Sequence, residues 1–248
     1  MKNFILLILM TAINLFPREK YSVSFFENRI YLLDGFDKNL SFYDTDLKMT
    51  SSVSLKNIAP SGFFDTFMAY DRFRSYLIDS ENGAIYLLDE SYALKKQFKP
   101  ENPFEERFFT KVFPLDYNSL TIASYDKCKI YKLENSILTE KLDFGKEFTD
   151  IYAAGSDLYA LFKNDIAIYS REGIFKKRIC IADTLEYESI HVAGSNILVQ
   201  SGNDIIVINQ TENKINRLSL DEFLCYAASD SVLYYFSVDS LKLKAVKL

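Results

Sequence analysis

Short apolar runs recur along this chain, each closed by a turn residue, and none keeps the i, i+3, i+4, i+7 spacing that an amphipathic helix requires. Some runs, such as Ile30-Tyr-Leu-Leu33 and Tyr76-Leu-Ile78, are apolar at every position. A strand of that kind is predicted to be covered on both faces, because a one-sided sheet would alternate apolar with polar. The pattern returns roughly every 36 to 45 residues. Predicted second strands of the repeat are Ile30 to Asp34, Ser75 to Asp79, Leu120 to Ser124, Leu158 to Phe162, Ile197 to Ser201 and Leu233 to Ser237. Third strands follow at Asn39 to Asp44, Ala84 to Asp89, Lys129 to Glu134, Asp165 to Ser170, Asp204 to Asn209 and Leu241 to Leu248.

More polar stretches, such as Lys48 to Leu55 and Lys214 to Leu220, suit the outer strand of each unit. First strands carry small residues near their ends, as in Ile151-Tyr-Ala-Ala-Gly155, Ile190-His-Val-Ala-Gly194 and Cys225-Tyr-Ala-Ala-Ser229. Small side chains are expected where inner strands converge on a narrow axis. Asn82-Gly83 reads as a two-residue hairpin turn with both residues at positive φ. Asp34, Asp44, Asp79 and Asp89 close strands and read as turn formers, since an Asp carboxylate accepts from nearby main-chain N–H groups. Radial stacking of such units predicts an all-β fold, a six-bladed β-propeller whose last blade is incomplete because the sixth unit stops after its third strand.

These units resemble degenerate blades of six-bladed propellers of the NHL and YVTN type. The match is best over Phe67 to Asp89, where a small-apolar strand, a turn, a Tyr-containing strand ending in Asp, Asn82-Gly83 and a second Asp-ended strand follow in order. Later units, such as Tyr159-Ala-Leu-Phe and Leu198-Val-Gln-Ser, lack the closing acid. The resemblance spans about residues 21 to 248 and implies architecture alone.

An apolar run from Phe4 to Phe16, preceded by Lys2 and followed by Pro17, is too short to cross a bilayer, which takes about 20 residues. Residues 1–18 are therefore read as a signal peptide or N-terminal anchor and 19–248 as the propeller, with a secreted, periplasmic or envelope location and no stable transmembrane span. A formal charge of −5, with acids and bases interspersed, supplies no basic stripe and argues against nucleic acid. The 17 Tyr and 21 Phe are strand formers before they are anything else. Cys128, Cys180 and Cys225 fall in different parts of different units, which argues against any internal bridge.

Chemistry is sparse. A lone histidine, His191, rules out His-rich metal sites, and its place on an inner strand, where Tyr152 and Tyr226 occur in neighbouring units, favours lining the channel over catalysis. No Gly-rich phosphate loop is present. Asp65, Lys111, Asp150 and Glu188 fall near the starts of inner strands, with Thr110 and Thr149 beside them. Together with His191 they form the candidate ligand site at one mouth of the channel. The segment Lys99 to Arg107 is a longer loop between blades. The favoured expectation is a non-catalytic scaffold that binds a protein partner or small ligand without a cofactor. The alternative is a lactonase-, esterase- or lyase-like enzyme holding a divalent cation such as Ca²⁺ at the mouth.

Overall fold

The computed structural model describes residues 21–59, 63–80, 82–99, 111–115, 119–124, 127–181, 185–212 and 214–248. The candidate leader at 1–18, Thr110 and the loop beyond Lys99 lie outside them. The first blade is β1 (Tyr21–Phe26), β2 (Arg29–Asp34), β3 (Asn39–Tyr43) and β4 (Met49–Ser54). The second is β5 (Thr66–Asp71), β6 (Arg74–Asp79), β7 (Ala84–Leu88) and β8 (Leu94–Phe98), and the third β9 (Lys111–Pro114), β10 (Ser119–Ser124), β11 (Lys129–Glu134) and β12 (Ile137–Asp143). The fourth is β13 (Asp150–Ala154), β14 (Asp157–Leu161), β15 (Asp165–Ser170) and β16 (Phe175–Cys180). The fifth is β17 (Ser189–Ala193), β18 (Asn196–Ser201), β19 (Asp204–Asn209) and β20 (Lys214–Ser219). The sixth holds β21 (Phe223–Ala228), β22 (Val232–Ser237) and β23 (Lys242–Lys247), three strands among the described residues.

Each blade is an antiparallel meander in sequence order, and the inner strand of each sheet is its first. Burial follows from that position. Second strands are covered on both faces, as in β10, where all of Ser119–Ser124 is buried, while the outer strands β4, β16 and β20 are almost wholly exposed. A separate apolar cluster fills each gap between neighbouring blades. Leu33 and Leu40 meet Phe67 and Tyr86 between the first and second, and Leu161 and Ile166 meet Ile190 and Val199 between the fourth and fifth. The ring closes where Val23 and Ile30 meet Tyr234 and Phe236. There Tyr21 stacks on Phe236 at 4.9 Å and Phe25 on Tyr234 at 5.4 Å between ring centroids.

Turn chemistry agrees with the sequence at the aspartates and differs at Asn82-Gly83. Asp34 accepts from the N–H groups of Phe36 and Asp37, and Asp89 from those of Ser91 and Ala93. Strand pairing stops at Asp79 and Ala84, so the connection has four residues rather than two. Only Gly83 of the pair takes positive φ, because Asp79 captures Asn82 through both its main-chain N–H and its side-chain amide. The two-residue turns with both residues at positive φ are Glu27-Asn28 and Asn135-Ser136.

Candidate functional site

All inner strands run the same way round the axis, so the channel has a proximal mouth where they begin and a distal mouth where they end. Its cavity holds about 470 Å³ and is lined from Tyr21, Asp65 and Lys111 at one end to Tyr70, Pro114, Gly155 and Arg171 at the other.

At the proximal mouth a residue at or next to the start of an inner strand reaches sideways to the next blade. Ser22 Oγ accepts from the Phe67 N–H at 3.3 Å. Asp150 Oδ2 accepts from the Ile190 N–H at 2.9 Å, and Ser189 Oγ meets the Tyr226 hydroxyl at 3.1 Å. Lys111 Nζ donates to Asp150 Oδ2 at 3.2 Å, so that this one buried carboxylate ties the third, fourth and fifth blades together. A buried carboxylate is tolerable only when it is paired and hydrogen-bonded, and both conditions hold here. Inner strands share no main-chain ladder across blades, and these side chains supply the directional bonds that apolar packing lacks.

The structure therefore brings Lys111 and Asp150 together and sets Asp65 and Glu188 apart from them. Ser80 donates both its main-chain N–H and its hydroxyl to Asp65 Oδ2, each at 2.6 Å. The Gly202 N–H donates to Glu188 Oε1 at 3.1 Å. Each acid precedes its inner strand and latches the turn between the second and third strands of its own blade. Asp221 does related work in the sixth blade, accepting from Lys244 at 2.5 Å, Ser237 at 2.6 Å and Tyr235 at 2.7 Å. Its carboxyl is held far below the usual range, chiefly by Lys244. Sequence alignment of the units missed a one-residue offset: Lys111 and Asp150 begin their strands, whereas Asp65 and Glu188 stand one position before theirs.

His191 lies further in, among rings. Tyr152 sits 4.3 Å away between centroids with its hydroxyl 3.4 Å from Nε2, and Tyr226 is 6.0 Å away on the other side. Burial, reinforced by the Lys111 ammonium, depresses its pKa to about 3 against an opposing hydrogen bond to the Ala228 main chain, so the imidazole is neutral near pH 7. Burial raises the Tyr152 hydroxyl to about 12 and the Cys225 thiol to about 12. Cross-strand pairing puts Tyr152 opposite Tyr159 and His191 opposite Leu198, as aligned from sequence. Tyr226, however, lies opposite Tyr235, and it is Ala227 that faces Tyr234, because a bulge between Phe223 and Cys225 shifts the register. No disulfide joins the three cysteines. Among the described residues no three His, Cys, Asp or Glu side chains gather as a metal site would require.

The distal mouth is built differently. Small residues end the inner strands, and a Cβ placed on Gly194 would lie 2.6 Å from Asp230 Oδ1. Arg171, on the turn after β15, reaches across to the third blade, donating from Nε to the Gly155 carbonyl at 2.9 Å and from Nη1 to the Pro114 carbonyl at 2.6 Å. Beside it, between the first two blades, a hollow of about 320 Å³ is lined by the ion pairs Arg72–Glu27 and Arg74–Asp71. Around the same end, Met49, Leu94, Ile137, Phe175 and Ile215 stand at or next to the start of an outer strand, with Ile174 and Phe73 on nearby turns. These seven apolar side chains are 46 to 67% exposed.

No protein-family model matches the sequence, and no curated protein does. Solved propellers share the fold. A streptogramin B lyase superposes with a TM-score of 0.65 at 12% identity, covering 93% of this chain and 94% of that one. The hydrazine synthase of Kuenenia stuttgartiensis does so with a TM-score of 0.61 at 8% identity, covering 93% and 96%. BamB from Moraxella catarrhalis gives a TM-score of 0.52 at 12% identity, covering 92% and 84%. Among the described residues no helix is long and apolar enough to cross a membrane.

Proposed function

We propose that this chain is an exported, non-catalytic propeller that binds a protein partner through its distal face. The observation that carries the reading is the apolar belt. Isolated exposed apolar residues are ordinary, but here every outer strand from β4 to β20 presents one at the same end of the ring. Among the described residues only Phe36, Phe63 and Leu241 of the exposed large apolar side chains belong to the opposite end. A repeated rim of this kind suits a partner that covers the whole face.

The proximal mouth supports the same reading. Asp65 and Glu188 serve their own blades, Lys111 and Asp150 serve each other, and His191 is oriented by tyrosines instead of a carboxylate. The arrangement lacks the base-and-orienter geometry expected of nucleophilic catalysis. Export rests on the leader-like run before residue 18.

The test is affinity capture from an envelope fraction with the parent chain and with Ile137→Asp/Ile174→Asp/Phe175→Asp, folding being checked by circular dichroism. A partner that is lost with the triple variant and kept by Phe36→Asp supports the face assignment. Equal capture by both variants would place the interaction elsewhere. Mature protein whose N-terminus lies beyond residue 15 is the expected sign of export, and Met1 retained on soluble cytoplasmic material refutes it.

A further inference from the structure

We propose that the distal half of the channel binds a small carboxylate carried on an aromatic body, with Arg171 receiving the carboxylate. This goes beyond the partner-binding reading and uses the channel wall, not the rim. The starting point is a contrast among arginines. Arg72, Arg74, Arg178 and Arg217 each sit against an acid, on Glu27, Asp71, Asp165 and Asp204. Arg171 is half-buried, and among the described residues its guanidinium has no carboxylate within ion-pairing distance. Its partners are two main-chain carbonyls, Gly155 and Pro114, which hold it in one orientation without offsetting its charge. Those two bonds engage two of its five N–H groups. Burial works against the charged form, and Tyr70 and Glu172 are the groups that oppose that effect.

A fixed guanidinium on the wall of a cavity, with no ion-pair partner among the described residues, is a receptor for a planar anion, which accepts two parallel N–H bonds from it. The body of the ligand follows from the rest of the wall. Phe25, Met68, Tyr70, Phe113, Tyr152 and His191 line the same cavity. Phe113 and Tyr152 are edge to face at 6.0 Å, continuing the series that runs through His191. The volume of about 470 Å³ suits one small ring system with a short acidic arm. The other cation of the channel, Lys111, is already answered by Asp150, which favours a monoanion over a phosphate ester.

Isothermal titration calorimetry of the full chain with benzoate, phenylacetate and indole-3-acetate, each beside its neutral amide, tests this. At least one acid should bind about tenfold more tightly than its amide, and Arg171→Gln should abolish that preference while Arg72→Gln keeps it. Thermal unfolding of Arg171→Gln within a few degrees of the parent shows that the loss is not misfolding, and Arg171→Lys, which keeps the charge without the fork, should fall between the two. Absence of binding by all three acids, equal binding of acid and amide, or an unchanged preference in Arg171→Gln would overturn the proposal. The Ile137→Asp/Ile174→Asp/Phe175→Asp chain should still bind the acid, so failure at the rim and failure in the channel are read separately.

Discussion

At the proximal mouth Asp65, Lys111, Asp150, Glu188 and Asp221 all end on partners within the ring, whereas at the distal mouth Arg171 ends on neutral carbonyls. The distal end pairs Arg72 with Glu27 and Arg74 with Asp71, but Arg171 stands outside those pairs. Clustered ionisable residues at a channel mouth are thus poor evidence of a binding site until their partners are known. One arginine with no ion-pair partner among the described residues says more than five satisfied groups.

That contrast can be broken most forcefully at Asp150. Replacing it with Ala strands the Ile190 N–H and the Lys111 ammonium at once, and the expected loss is about 3 kcal/mol in urea unfolding. Asp150→Asn should recover part of it, because an amide oxygen still accepts from Ile190. A loss below about 1 kcal/mol for the Ala variant would mean that the proximal clamp is incidental.

The glycines sharpen the comparison at the distal end. Gly194 and Gly155 both have φ of +56°, but an added methyl meets Asp230 at the first and open space at the second. Gly155→Ala should therefore cost about 1 kcal/mol for its positive φ, and Gly194→Ala somewhat more, because the Asp230 carboxylate must also turn away. Equal melting temperatures for the two variants would contradict that account.

A smaller effect belongs to His191, which belongs to neither mouth. An unfolded histidine takes up a proton near pH 6.5, and the folded one resists until about pH 3 because of burial and Lys111. Protonation therefore favours the unfolded chain, and stability that is complete above pH 6.5 declines as pH falls toward 3. The expected loss is about 1 kcal/mol by pH 5.5, relative to neutral solution. Denaturant unfolding of His191→Phe between pH 7 and 5.5 should lack that decline. Arg171→Gln comes last, with less than about 1 kcal/mol of destabilisation, since its main role is not structural. A collapse of the fold in that variant would place Arg171 with Asp150 as a strut.

Blade order, strand class and the aspartate turns were legible because they depend on neighbours in sequence. Apolar Tyr76-Leu-Ile78 announces a strand covered on both sides, and Asp34 needs only the N–H groups two and three residues on. What escaped depends on residues far apart. Ser22 answers Phe67, 45 positions away, and nothing about either residue advertises the bond. Arg171 sits in an ordinary-looking Ser-Arg-Glu-Gly turn, yet binds a carbonyl 57 positions earlier. Alignment of units by pattern also hides single-residue shifts, which is why Glu188 was placed level with Asp150. Tyr226 is one place out of register after the bulge, yet it still lines the channel beside His191 as expected.

Among the described residues no stretch of chain crosses the junction between the sixth and first blades, whereas the chain runs on from blade to blade at the other five. Among the described residues that junction is held by side chains alone, with the Tyr21–Phe236 and Phe25–Tyr234 stacks at its centre, each worth on the order of 1 kcal/mol beyond its buried area. In mechanical terms the described ring is a split washer, not a hoop. Outward load on the wall, from a bulky guest or a pulling partner, should concentrate at the split instead of spreading round the circumference. Amides of β1 and β21 should accordingly lose hydrogen-exchange protection before those of β13 and β17, and the bore can widen there without tearing a single main-chain ladder.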